Sequence, residues 1–330
     1  MNRKSHLLFF AFVLTLATAM TANSQQRTVD PLYVLPISDG VMFVDIQRIM
    51  KDVLPRALAG SPKMAEINAD IDRFRQRTGL DLRSFDRAAV GVRFTNPTAR
   101  VTKMQPVAVL QGSFNADTLV AAGRLAAKGK YSTEKYKGKT IHLFTLNEQV
   151  RLLGLFNARL SDVAVVALNS TMLAVGDRES VRLTIDATAN GATGRNTELI
   201  GLATRNPAAV LGFGGNVPAS ATRDLNVGND EITRSLASIR QAYGSIGTTA
   251  SGYDMTTVLR TTSAAQAKSL NDTLMAGKQF APLLIAQLSG DRAEFARRAT
   301  DNLKITAQGN DVQVRLEVAQ TDVSILLRTF

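Results

Sequence analysis

The stretch LKITAQGNDVQVRLEV, residues 303–318, decides the fold class. Val312, Val314, Leu316 and Val318 fall on one side of an extended chain, and Gln313, Arg315 and Glu317 fall on the other. The Gly309-Asn310 pair supplies a turn back to Leu303–Ala307, so the whole reads as a β-hairpin. Strict alternation means one face buried and one face wet, which is the mark of antiparallel sheet. A doubly wound parallel sheet would bury both faces and show unbroken apolar runs. The chain is therefore expected to be α+β, with mostly antiparallel sheet and helices packed on one face.

Working outward, strands and helices alternate and the order runs twice. In the first half, Val41–Val44 is a short strand. Asp45 caps a helix Ile46–Leu54 that is expected to stop at Pro55. Ser61 and Pro62 open a longer helix carrying Met64, Ile67, Ile71 and Phe74, with Gly79 as its stop. Strands at Ala88–Phe94 and Val107–Phe114 flank a polar loop, Thr95–Pro106. Asn115 caps a helix through Lys128, and Thr140–Leu146 is a strand. A hairpin turns at Asn169-Ser170, and Asp177 caps the next helix to about Asp186. Ala187–Arg195 reads as a linker.

The second half opens with a strand at Ala208–Phe213. A helix from Asn229-Asp230 carries Ile232, Leu236, Ile239 and Tyr243 at helical spacing. Tyr253–Thr261 is a strand, and Ser263 with Gln266 forms a capping box for a helix to about Gly277. Phe280–Leu288 reads as a further apolar helix, and the hairpin at 303–318 follows. Residues 25–190 and 191–330 thus form two related α+β halves.

Residues 1–24 have the three parts of a cleavable secretory signal. Arg3 and Lys4 precede the apolar run Leu7–Leu16, and small residues follow, with cleavage after Ala19, Ala22 or Ser24. The competing reading, an uncleaved anchor, is opposed by length, since a span takes about 20 apolar residues. The mature chain is expected outside the cytoplasm, periplasmic or extracellular, with no transmembrane segment.

Composition narrows the chemistry. The chain carries 39 basic and 28 acidic side chains, and residues 1–24 hold two of the former and none of the latter, leaving a formal +9. Dispersed positive charge favours attraction to anionic envelope material, while nucleic-acid binding would want it clustered with aromatics. Cysteine is absent, so no disulfide contributes to stability. His142 is the sole histidine after residue 24, which excludes the usual Cys/His zinc site.

No catalytic, cofactor-binding or metal-ligating residue is assigned. His142 lies in a strand pattern, and no Gly-x-Ser-x-Gly elbow accompanies it. Gly212-Phe213-Gly214-Gly215 lacks the spacing of a phosphate loop and reads as a flexible connection. The most suggestive cluster is basic and bears tyrosines: Lys128, Lys130, Tyr131, Lys135, Tyr136, Lys137 and Lys139. Placed between a helix end and a strand, it reads as a loop that contacts an anionic surface. The apolar stretch Leu146–Leu160 is a second candidate contact, against a partner or a membrane.

Three stretches carry a resemblance. They are Leu35-Pro36 leading into Val41–Asp45, Tyr136–Ile141, and Thr171–Asp177 with its following helix. In these the chain resembles, across most of its mature length, a group of uncharacterised exported bacterial proteins of the domain-of-unknown-function type, built as duplicated α+β halves. The resemblance implies an envelope or secreted location and no particular activity. The expected function is a non-enzymatic binding or scaffolding role in the cell envelope, without cofactor, its partner an anionic component or another envelope protein. The alternatives are a hydrolase using Asp or Glu between the halves on a wall or extracellular polymer, and a structural assembly subunit packing through Leu146–Leu160.

Overall fold

The computed structural model describes residues 29–330 except 79–80, 99–100, 127–130, 153–155, 190–195, 219–228 and 324–330. The expected export signal, residues 1–24, lies outside the described residues, as does most of the expected linker. After a 3-10 turn, Pro31–Val34, comes β1 (Gly40–Asp45). Asp45 Oδ1 accepts from the Arg48 amide at 2.9 Å and caps α1 (Ile46–Arg48). A π turn, Ile49–Val53, leads into α2 (Leu54–Ala57). The expected stop at Pro55 does not occur, because Pro55 sits in the first turn of α2, where a missing N–H costs little.

Ser61 Oγ accepts from the Lys63 amide at 3.3 Å at the start of α3 (Lys63–Thr78). β2 (Phe85–Thr98) and β3 (Val101–Gly112) continue through the expected loop, with Thr95 opposite Lys103. The stretch is polar and still pairs as strand. Asn115 Oδ1 accepts from Asp117 and Thr118 and caps α4 (Ala116–Ala126). Four strands follow, β4 (Tyr131–Tyr136), β5 (Lys139–Leu152), β6 (Phe156–Asn169) and β7 (Met172–Gly176), then α5 (Arg178–Ala189) and α6 (Thr197–Ala203).

The second half runs β8 (Ala209–Asn216), α7 (Asp230–Ala237), β9 (Gln241–Thr248), β10 (Gly252–Arg260), α8 (Ala264–Ile285), α9 (Asp291–Asn302), β11 (Lys304–Gln308) and β12 (Asp311–Ala319). Three expectations need correction here. Tyr243 belongs to a strand: α7 ends at Ala237, and the helical spacing of Ile232, Leu236 and Ile239 runs on to Tyr243 by coincidence. The stretch Gly212–Gly215 is strand, not flexible connection. Its glycines admit α6, because a β-carbon at Gly212 would collide with the Ala203 carbonyl and one at Gly214 would lie 2.6 Å from the Leu199 oxygen. The helix expected to end near Gly277 passes straight through it to Ile285, and α9 was not anticipated.

All the strands join one sheet, in the order β11-β12-β10-β9-β8-β1-β2-β3-β7-β6-β5-β4. Every neighbouring pair is antiparallel. The expected antiparallel α+β class is therefore observed. β1 pairs with β8, Val41 opposite Gly214, so the sheet is unbroken where the two halves meet. Pro31–Phe330 forms one compact unit.

Helices lie on both faces, not one. Val41, Ala89, Val109, Ala174, Val166 and Ile141 share a face and form the main core with Leu35, with Val181 and Ile185 of α5, and with Leu199, Ile200 and Ala203 of α6. Val312 and Leu259 lie on the opposite face and pack against Ala267 and Leu270 of α8. The reason is local. The hairpin at 303–318 lies at an edge of the sheet and reports only the edge. The central strands carry unbroken apolar runs, Val41–Val44 and Met172–Val175, and such runs need cover on both sides.

Candidate functional site

Beyond the end of α6, the face of the sheet that carries the main core becomes polar and uncovered. A cavity of about 450 Å³ opens there, walled by Leu202, Arg205 and Asn206 and floored by β9, β10, β12 and β11. Strand register arranges the floor in cross-strand rows. One row runs Tyr243, Val258, Gln313, Thr306, and the next runs Gln241, Arg260, Asp311, Gln308.

A hydrogen-bonded cluster anchors the inner end. Arg260 grips Asp311 through Nε at 2.8 Å and Nη2 at 3.0 Å, and Tyr243 Oη donates to Asp311 Oδ2 at 3.1 Å. Arg205 Nη1 donates to Tyr243 Oη at 3.2 Å, and the Arg205 and Arg260 guanidinium carbons lie 5.8 and 5.4 Å from the Tyr243 ring centre. The hydrogen bonds from Arg260 hold the Asp311 carboxyl below its usual range. Burial, then the Asp311 charge, pushes the Tyr243 phenol up. Asp311 thus stays ionised and committed to Arg260, so it neutralises that arginine and leaves Arg205 as the cleft's uncompensated charge.

The basic cluster chosen from sequence is distributed differently. Lys128 and Lys130 lie outside the described residues. The rest form a hairpin, not a loop: Lys137 and Gly138, at φ 45° and 77°, make the tight turn between β4 and β5. Lys135 Nζ donates to Thr140 Oγ1 at 2.7 Å, Lys139 Nζ donates to the Leu168 carbonyl at 2.9 Å, and Lys137 pairs with Asp186 at 2.7 Å. Tyr136 Oη also reaches Asp186, at 3.1 Å. Tyr131 faces the other side of the sheet, where its hydroxyl meets His142 Nδ1 at 2.7 Å and Arg124 sits 5.1 Å from its ring centre. These residues bind the hairpin to α5 and to its neighbouring strands, and they share no single surface.

For the apolar stretch Leu146–Leu160 the backbone is strand where described, and its side chains lie outside the described set. The exposed apolar surface that the structure does show is elsewhere. On the outer side of α8, Phe280, Leu283 and Leu284 are 63%, 67% and 67% exposed. No helix among the described residues is long and apolar enough to cross a membrane.

Sequence reading missed the cleft because its parts are scattered over five elements, and because Tyr243 was assigned to a helix. One signal was present. The outward alternation of the final hairpin placed Gln313 on the wet face, which is the floor of the cavity.

No family model matches the chain, and no curated protein matches it. Among solved structures it is similar to crystal form III of TP0453, with a TM-score of 0.46 and 10% identity over 92% of this chain and 100% of that one. Crystal form I of TP0453 aligns with a TM-score of 0.43 and 10% identity over 92% and 98% of the two chains. Crystal form IV aligns with a TM-score of 0.42 and 11% identity over 93% and 99%.

Proposed function

We propose that the protein is exported and acts in the cell envelope as a non-catalytic binding protein, with the cleft beside α6 as its ligand seat. The observation that carries this reading is a roomy, polar, uncovered sheet face beside a cluster whose charges are already arranged. Hydrogen-bonding groups fixed on rigid strands suit recognition, since little order must be imposed on binding. A hydrolase would want two carboxylates facing across a gap between the halves. Here β1 and β8 join the halves without a gap, and Asp311 is locked as a carboxylate by Arg260. A carboxyl that stays ionised is no general acid.

The export reading rests on Arg3, Lys4 and the Leu7–Leu16 run. Descent of the two halves from one ancestral half is supported by strand order. Outward from the centre one arm runs β8-β9-β10-β12-β11, and the other runs β1-β2-β3-β7-β6 before adding β5 and β4. Contact of the β4–β5 hairpin with an anionic surface is a lesser element of the proposal, because three of its lysines already have partners within the protein.

A second reading, assembly with another envelope protein, is favoured by the apolar outer side of α8. Native mass of the mature protein, purified gently from envelope extract, separates the two. A small discrete excess over the chain mass is expected and supports the ligand seat. Whole multiples of the bare chain mass, abolished by Leu283→Lys with Leu284→Lys, would replace it with assembly.

A further inference from the structure

Among the described residues, the cleft has one uncompensated charge, Arg205, and a floor of neutral donors and acceptors, and together these specify a ligand class. Resting on the ligand-seat reading above, we propose that the cleft binds an acidic saccharide, a sugar ring carrying a carboxylate, with the carboxylate on Arg205 and the hydroxyls on the β10–β12–β11 floor.

The charge argument comes first. Arg260 is neutralised by Asp311, whose two oxygens receive Arg260 Nε at 2.8 Å and Nη2 at 3.0 Å. Arg260 Nη1 is also engaged, on Gln241 at 3.0 Å. Arg205 spends one donor on Tyr243, at 3.2 Å. Arg205 lines the cavity, and a carboxylate matches a guanidinium fork in geometry. A phosphate dianion fits less well. It would bring two charges to one arginine, where a carboxylate brings one.

The floor decides the remainder. The side chains of Thr256, Thr306, Gln308 and Gln313 make no hydrogen bond among the described residues, and all four line the cavity. Hydroxyls and carboxamides in a fixed lattice both donate and accept, as sugar hydroxyls do. From Tyr243 to Thr306 is three strand spacings, about 14 Å, which is room for two or three sugar rings. An acyl chain or a flat aromatic ligand would desolvate these groups without replacing their bonds to water, which opposes its binding.

Calorimetric titration of the mature protein with galacturonate, its trimer and neutral galactose tests the assignment. The acid is expected to bind at least about tenfold more tightly than galactose, the equivalent of 1.4 kcal/mol. Arg205→Gln should erase that difference, and Gln313→Ala should weaken both sugars alike. Arg205 is exposed, so the variant is expected to melt with the wild type, and a matching melting curve confirms that the loss is local. A trimer tighter than the monomer would assign the site to a polymer, and equal affinities would assign it to the free sugar acid; either supports the proposal. Acid and neutral sugar binding equally, or Arg205→Gln leaving the preference intact, overturns the carboxylate assignment. A native ligand found by mass together with no response to any of the three sugars overturns the saccharide class and leaves the ligand seat standing.

Discussion

Leu35 and Leu270 are both 0% exposed, yet they sit in different kinds of core. Among the described residues, Leu35 belongs to a cluster of eighteen buried residues drawn from the first half, the 3-10 turn and α6. Among the described residues, Leu270 shares its cluster only with Ala267 and Val312, and the next shell, including Leu236, Leu259 and Ile305, is partly buried. The first half is covered on both faces of the sheet. The second is covered by α8 on one face, and the other face is left polar beyond the end of α6. One half therefore supplies most of the apolar burial that holds the sheet together, and the other can present a solvated strand surface without losing its place in it.

The largest expected effect tests this difference directly. Leu35→Ala should cost about 4 kcal/mol, near the upper part of the range for a leucine in a rigid core. Leu270→Ala should cost about 2–3 kcal/mol, because a small cluster with partly buried neighbours can relax into the space or admit water. Urea midpoints with an unchanged slope measure both. Equal costs would break the comparison and make the second core as tight as the first.

The polar clusters extend the contrast. Each half has a tyrosine under an arginine, Tyr131 with Arg124 and His142 in one, Tyr243 with Arg205, Arg260 and Asp311 in the other. Asp311 has its pKa lowered, chiefly by hydrogen bonds from Arg260. An unfolded aspartate titrates near about 3.9. A lowered folded value means that the stabilisation is fully present above that pH and is lost as pH falls through the folded value. Asp311→Asn should therefore cost about 1 kcal/mol at neutral pH, discounted because both partners are part-exposed. The gap to wild type should close as pH falls through the folded value, below the ordinary aspartate range. A gap that persists into acid would mean that the carboxamide's shape, not the lost charge, causes the damage.

How much of this was legible in the sequence follows from where each signal is local. Caps are local, and Asp45, Ser61, Asn115, Asp177, Asn229 and Ser263 begin helices as expected. The final hairpin and its facing pattern are local too. What failed was set by tertiary packing. Gly212 and Gly214 look like a loop until α6 lies across them. Tyr243 fits a helical spacing until β9 pairs with β8 and β10. The one-face expectation generalised from an edge hairpin to a centre whose own runs, Val41–Val44 among them, spoke against it. The lysine cluster was read as surface charge, but Lys137 and Lys139 turn back on Asp186 and the Leu168 carbonyl.

The smallest expected effect belongs to His142, and it separates the halves by pH. Burial, with the nearby Arg124 charge, lowers its pKa. An unfolded histidine titrates near about 6.5. A lowered folded value means that the unfolded chain binds the proton first, so this contribution is intact above about 6.5 and is lost as pH falls below it. The Tyr131 hydroxyl meets Nδ1, so protonation places a second donor in a bond that the neutral ring can accept. Between pH 7 and pH 5 wild type should lose a small part of its stability that His142→Gln does not lose. Hydrogen exchange should place that loss on β4, β5 and α4 and leave β9–β12 unchanged, since Asp311 does not begin to protonate in that range. Acid sensitivity appearing first in β9–β12 would reverse the assignment and make the half with the open polar face the one that responds to mild acid.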